Sequence, residues 1–375
     1  MTGLAERAIA LAPRRILIVR LSALGDVVLS SGLIPALKAR WPEARLSWLV
    51  DAPAAPLLAH NPRLDELRVL PLSQWKQLWR SGHRLQAWRA FRAWAHELRA
   101  QEFDLVIDPQ GLFKSGVCGW LSGAPLRMSL WPREGNQLFV HDCVRPAVPP
   151  GPERIISFEY RALADAVGAP EFRLDLAVGE APRQRAIQVM REAGIAGRPT
   201  AILAPFTTRP QKHWLEERWP VLAAALWEAG YQPVILGGPG DRAGAERMAS
   251  REARIVNLAG RLKLDETVAA IAQSQLLIGV DTGLTHMGIA LGLPTVALFG
   301  STAPYLHAGT DRVKVLYKAL PCSPCHRAPS CQGRFDCMHE LSVAEVMQTV
   351  HQVALAPKPV QGNSIPRPES GAGHP

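Results

Sequence analysis

The feature that most narrows the fold is an alternation of short β-branched runs with helical periodicity, begun twice along the chain. Arg15–Arg20 (RILIVR) gives the first run, an apolar-periodic stretch over 27–40 follows, and Arg45–Val50 (RLSWLV) comes next. Strands joined through a crossover helix pair in parallel, so this spacing predicts a βαβ unit. Leu67–Leu70 and Leu105–Asp108 (LVID), with helices over 84–100 and 113–121, carry the alternation on. A Pro/Gly-rich stretch over 122–153, a helix over 157–167 and a linker from Gly168 to Pro182 interrupt it. The series then restarts. Its strands are Thr200–Ala204, Pro233–Leu236, Arg254–Leu258, Leu276–Val280 and Thr295–Phe299, with helices over 216–229, 241–252, 264–273 and 283–292. The expectation is an α/β protein with two doubly wound, Rossmann-like domains, 1–175 and 176–355, facing a central cleft. A Pro/Gly/Ser-rich tail over 356–375 has no periodicity and is expected to be disordered.

Composition excludes several classes. At 375 residues the chain suits two domains, and 47% hydrophobic with 20% charged residues is ordinary globular usage. No apolar run reaches the ~18 residues of a spanning helix. Arg14 and Arg15 follow the mildly apolar N-terminus, which has no small-residue cleavage site, so the expected location is the cytoplasm with reduced cysteines. The net charge of +9 suits an anionic small molecule, an anionic membrane face or nucleic acid without choosing among them.

Ligands of open parallel sheets bind at the C-terminal ends of the strands, so the residues there carry the argument. After the first strand, Leu21-Ser22-Ala23-Leu24-Gly25-Asp26 holds one glycine, which weakens a dinucleotide-oxidoreductase reading. Asp26 at a helix entry serves either as a carboxylate favoured by the macrodipole or as a general base. In Thr207-Thr208-Arg209-Pro210-Gln211-Lys212-His213-Trp214, two hydroxyls, an arginine and a lysine suit phosphate oxygens; the alternative is a solvated basic loop. Asp281-Thr282-Gly283-Leu284-Thr285-His286 opens a helix whose free N–H groups suit an anion, although Asp and Thr are also good caps. Asp241, in Gly237-Gly238-Pro239-Gly240-Asp241, either accepts from a ribose or caps the next helix. Hydroxyls, a lysine, a helix start and carboxylates crowded into one cleft fit a sugar nucleotide.

The chain resembles the family 9 glycosyltransferases, the ADP-heptose:lipopolysaccharide heptosyltransferases, over roughly residues 14–350. RILIVRLSALGDVVLSSGLIPALK, VIDPQGLFKS (106–115), TTRPQKHW (207–214) and VDTGLTHMGIALGLPTVALFG (280–300) match its motifs in its order. The resemblance implies a GT-B fold, with acceptor on the first domain and nucleotide sugar on the second, and an inverting transfer that needs no metal. It implies Asp26 as the base and Thr207, Thr208 and Lys212 around the diphosphate, with Lys212 countering charge on the leaving ADP; Arg209 of the same loop is a further expected substrate contact. Asp281, Thr282, Gly283 and His286 would contact diphosphate and heptose, Asp241 the ribose, and Leu262 would pack near adenine. VLPLSQWKQLWRSG (69–82) resembles the branch that adds the first heptose to Kdo-lipid A, with its basic cluster thinned to Lys76 and Arg80. The implied partners are an ADP-sugar and an anionic glycolipid, with peripheral contact at the inner membrane face and no nucleic acid. The alternatives are a family member with another nucleotide sugar or acceptor, a sugar-nucleotide epimerase on the same fold, and a non-enzymatic anion-binding protein.

Over 75–99, Trp88, Phe91, Ala95 and Leu98 fall on one helical face and Arg89, Arg92, His96 and Arg99 on another. That describes either an amphipathic surface helix or a face for an anionic glycolipid at the membrane. Cys322, Cys325, Cys331 and Cys337 have the spacing of a structural tetrathiolate site for zinc or iron, the alternative being free thiols in a loop. Cys118 and Cys143 read as small buried hydrophobes.

Overall fold

The computed structural model describes residues 4–146, 155–169, 171–302, 305, 308–325 and 328–355. The first sheet consists of β1 (Arg15–Val19), β2 (Arg45–Asp51), β3 (Glu66–Leu70), β4 (Leu105–Asp108), β5 (Leu126–Leu130) and β6 (Asp142–Val144), ordered β3-β2-β1-β4-β5-β6. The second consists of β7 (Thr200–Ala204), β8 (Gln232–Ile235), β9 (Val256–Asn257), β10 (Leu276–Val280), β11 (Thr295–Phe299) and β12 (Val313–Tyr317), ordered β12-β11-β10-β7-β8-β9. Every pairing is parallel. Both orders are the doubly wound one, the second written backwards. The order therefore reverses between β1 and β4 in one sheet and between β7 and β10 in the other, which are the places where such sheets bind ligands. β7, β10 and β11 are buried at every position because helices cover both faces. The largest apolar cluster runs from Ile16, Ile18 and Trp48 through Val27 and Leu37 to Ile202, Val268 and Met287, joining the two sheets.

Several expectations need correcting. The helix over 27–40 is two, Leu24–Ser30 and Leu33–Arg40. Ser30 and Ser31 turn their hydroxyls back onto carbonyls three and four residues earlier, which ends the first helix. The linker over 168–182 is no loose connection. Phe172, Leu174, Leu176 and Val178 pack into or against the core, and Asp175 accepts from Asn61 Nδ2 at 2.9 Å and Arg63 Nη1 at 3.1 Å. β5, β6 and β12 and the helices Leu72–Arg80, Glu180–Glu192 and Val343–Leu355 go beyond the expected elements. The amphipathic stretch over 75–99 spans two helices, Leu72–Arg80 and Arg84–Arg99. Trp75 packs edge-on against Phe91 and Trp94, with centroids 5.4 and 5.3 Å away, so much of the aromatic face is used within this hairpin. Trp79 and Trp88 stay exposed at 58% and 52%. Residues 356–375, expected to be a disordered tail, lie outside the described residues.

Candidate active site

The two switch points meet. The loop after β1 and the start of helix Gly283–Ala290 touch through two glycines: a β carbon on Gly25 would lie 2.8 Å from His286 Cδ2, and one on Gly283 would lie 3.2 Å from Leu24 Cβ. Contacts under 3.0 Å force something to shift, so a side chain at position 25 would displace the buried His286 ring. Beside the contact is a cavity of about 260 Å³ whose walls include Asp26, Tyr160, Lys212, Asp281, His286 and Tyr305.

Asp26 is the third residue of helix Leu24–Ser30. Its Oδ2 accepts the Ala23 N–H at 3.3 Å and pairs with Arg20 Nη2 at 2.6 Å, while Oδ1 accepts the Tyr160 hydroxyl at 3.3 Å. The capping and catalytic readings of this residue are therefore compatible. Its side chain is still 45% exposed toward the cleft, whereas that of Arg20 is 8% exposed. Arg20 also donates to the Pro109 carbonyl at 2.9 Å. Burial works against its charge, but Tyr160 and Asp26 outweigh burial and raise its pKa, so it is a permanent cation. Burial pushes the Tyr160 phenol well above its usual range and keeps it a donor.

Under this group, Asp108 braces the loop after β4. Its oxygens accept Gln110 N–H at 2.9 Å, Gly111 N–H at 3.1 Å and Ser115 Oγ–H at 2.8 Å, and Gln110 Oε1 accepts Leu21 N–H at 2.8 Å. Burial raises the Asp108 carboxyl to about 6 against these donors. A carboxyl whose folded pKa exceeds the unfolded ~3.9 favours the fold below that value and loses this contribution as pH rises through about 6. Asp108→Asn is expected to flatten the dependence between pH 4 and 7. Its stability should gain on the native protein across that window, on the order of 3 kcal/mol, in urea unfolding at stepped pH. Parallel pH curves for the two proteins would refute this.

On the opposite wall, Lys212 closes the short 3-10 turn Pro210–Lys212 and pairs through Nζ with Asp281 Oδ2. Asp281 Oδ1 faces His286 Nε2 at 3.3 Å, and His286 Nδ1 meets the Tyr305 hydroxyl at 3.0 Å. Burial alone would raise the Asp281 carboxyl; His286 and Lys212 overcome it and hold the group far below the usual carboxylate range. Burial and then Asp281 push the Tyr305 phenol well above its usual range. Lys212, Asp281, His286 and Tyr305 thus form a chain in which both carboxylate oxygens and both ring nitrogens are engaged. Asp281 and His286, expected to contact the ligand, both line the cavity and at the same time hold Lys212 in place.

The remaining candidates scatter. Thr207 and Arg209 are half-buried and Thr208 exposed in the loop after β7, where His213 Nε2 holds the Thr207 carbonyl at 2.9 Å. Thr282 is half-buried at the N-cap of helix Gly283–Ala290 and makes no side-chain cap bond. Asp241 accepts the Gly238 N–H at 2.8 Å and lines a second cavity of about 490 Å³ with Phe206 and Trp214. Leu262 packs against the main core, and Lys76 and Arg80 are exposed on helix Leu72–Arg80. The tetrathiolate expectation is not met: among the described residues no group of three or more His, Cys, Asp or Glu can hold a metal ion. Cys337 instead packs in the second sheet's core, where a β carbon on Gly300 would sit 2.8 Å from its Sγ. Burial first, and then the other three thiols, push the Cys337 thiol up. Cys118 is buried as expected; Cys143, on edge strand β6, is half-buried. Arg20, Tyr160 and Tyr305 were missed: Arg20 stands inside the first motif, where nothing in the spacing pairs it with Asp26, and no local motif marks the two tyrosines.

Comparisons with known proteins place the chain in a family and match its fold. The family model described as glycosyltransferase family 9 (heptosyltransferase) matches residues 91–335. The chain is 29% identical over 315 residues to lipopolysaccharide heptosyltransferase 1 of Pseudomonas aeruginosa, covering 83% of this chain and 86% of that protein. It is 29% identical over 303 residues to lipopolysaccharide heptosyltransferase 2 of Escherichia coli K12, covering 77% of this chain and 84% of that protein. Among solved structures, E. coli ADP-heptose LPS heptosyltransferase II superposes with a TM-score of 0.70 at 22% identity, over 91% of this chain and 98% of that one. E. coli heptosyltransferase WaaC with ADP-2-deoxy-2-fluoro heptose gives 0.66 at 23% identity, over 90% and 99%. The two facing doubly wound sheets are the GT-B arrangement of those structures.

Proposed function

The chain belongs to glycosyltransferase family 9, the heptosyltransferases, and from that premise we propose that it moves heptose from ADP-heptose onto the lipopolysaccharide inner core, with inversion and without a metal ion. The observation that carries this reading is that Asp26 from the first sheet and Lys212 from the second line one cavity. Asp26 takes the proton of the acceptor hydroxyl. The acceptor oxygen then attacks the anomeric carbon from the face opposite ADP, and the electrons of the breaking C–O bond pass to the β-phosphate. Lys212 and the start of helix Gly283–Ala290 stabilise that developing charge. A single displacement of this kind inverts the anomeric centre.

The acceptor is assigned to residues 1–175 and the nucleotide sugar to 176–355. Thr207, Thr208, Arg209 and Thr282 are placed along the diphosphate, Asp241 at the ribose and Leu262 near adenine. Lys76 and Arg80, with the exposed Trp79 and Trp88, suit an anionic glycolipid at the inner face of the membrane. No helix among the described residues is long and apolar enough to cross a membrane. Lys212 offers the positive charge that a diphosphate-bound cation would otherwise supply, so turnover is expected to persist in EDTA; prompt loss without unfolding would refute metal independence. Incubating the protein with ADP-heptose and Kdo-lipid A and following ADP release and acceptor mass tests the whole reading. No ADP and no mass increase would reject it.

A further inference from the structure

The segment leading into helix Phe158–Asp165 crosses the cleft. Ile156 is buried with Ile289, Phe299 and Tyr305 of the second half of the chain, while Tyr160, four residues on, bonds Asp26 of the first. Ser157 lies between them. It is 7% exposed and lines the 260 Å³ cavity, and its Oγ has no hydrogen-bond partner among the described residues. A serine at a helix N-cap ordinarily bonds a free N–H of the first turn. Here φ is +63°, in the left-handed region, and the side chain makes no cap bond. An unpaired buried hydroxyl weakens a fold, and so does a β carbon in the left-handed region. Glycine would relieve both. Neither cost has a compensation among the described residues, and Ser157 borders the cavity that holds Asp26 and Lys212.

We propose that the Ser157 hydroxyl is a sugar-binding group, hydrogen-bonded to a hydroxyl of the sugar held beside Asp26. The inference rests on reading this cavity as the transfer site. Sugar hydroxyls come from two sources there, the heptose of the donor and the acceptor saccharide, and kinetics separates them. Ser157→Ala and Ser157→Gly are compared with the native protein for the KM of ADP-heptose at saturating Kdo-lipid A, the KM of Kdo-lipid A at saturating ADP-heptose, and the melting temperature. One KM is expected to rise roughly three- to tenfold, the span of one lost neutral hydrogen bond. Donor KM identifies the transferred heptose as the partner, acceptor KM the acceptor saccharide. The melting temperature should hold or rise in Ser157→Ala and rise in Ser157→Gly, because the native hydroxyl has no partner among the described residues and glycine also relieves the left-handed φ.

Both KM values within twofold of native would overturn the proposal, and so would a lowered melting temperature with native KM values. If the native protein fails to turn over, or Asp26→Asn turns over normally, the reaction or the base assignment fails instead. Ser157 is then judged by calorimetric titration of ADP-heptose and of Kdo-lipid A into native and Ser157→Ala protein. Weaker binding of either in the variant supports the hydroxyl contact; equal affinities, or no binding of either, overturn it.

Discussion

Asp26→Asn is expected to cut heptose transfer by ~10²–10⁴ while the Kd for ADP-heptose stays within a few-fold of native. The substitution keeps shape and volume and removes the ability to take a proton. Binding is spared because the donor groups lie on the other wall, in the loop after β7 and at the start of helix Gly283–Ala290. The fold is not spared entirely, since Arg20 loses its ion pair at 2.6 Å and stays a buried cation. Measurements therefore belong well below the melting temperature of the variant. Single-turnover rates with saturating substrates, beside calorimetric titration of ADP-heptose, separate the two effects. Turnover near native in the Asn variant would remove Asp26 as the base.

Lys212→Ala is expected to lower the rate by ~10²–10³, because it removes the charge that meets the leaving diphosphate. It also orphans Asp281, whose side chain is 9% exposed. Stripping one partner from a buried pair costs on the order of 3 kcal/mol, with His286 left as a partial counterweight. The pH dependence has a definite sign. Asp281 is held below the usual carboxylate range, so its contribution is present above the unfolded ~3.9 and lost as pH falls through the folded value. The stability gap between native and variant should thus be widest near neutrality and close on acidification. Unchanged turnover at saturating donor would make the loop a bystander, and a gap constant with pH would refute the coupling to Asp281.

Much of this molecule is legible in its sequence, for physical reasons that also explain what is not. A strand covered on both faces has to be apolar throughout, which is why RILIV, TAILA, LLIGV and TVALF stand out. β6 and β12 are edge strands, and half-covered segments such as DCV and VKVLY carry too little pattern. The alternation of Phe172, Leu174, Leu176 and Val178 was a readable sign of an extended, one-sided buried segment, masked by flanking Gly and Pro. Asp26 and Lys212 were visible because each sits at a strand end in a motif. Tyr160 and Tyr305 act through approach from distant segments, which no local spacing records.

The glycine contact between the two halves sets what the cleft can tolerate. There the two working loops stand so close that a β carbon on Gly25 would lie 2.8 Å from the His286 ring, and one on Gly283 would lie 3.4 Å from Gly25 N. A side chain added at position 25 would press first on the His286 ring, and through it on the carboxylate that pairs with Lys212, so bulk on the acceptor side is felt on the donor side.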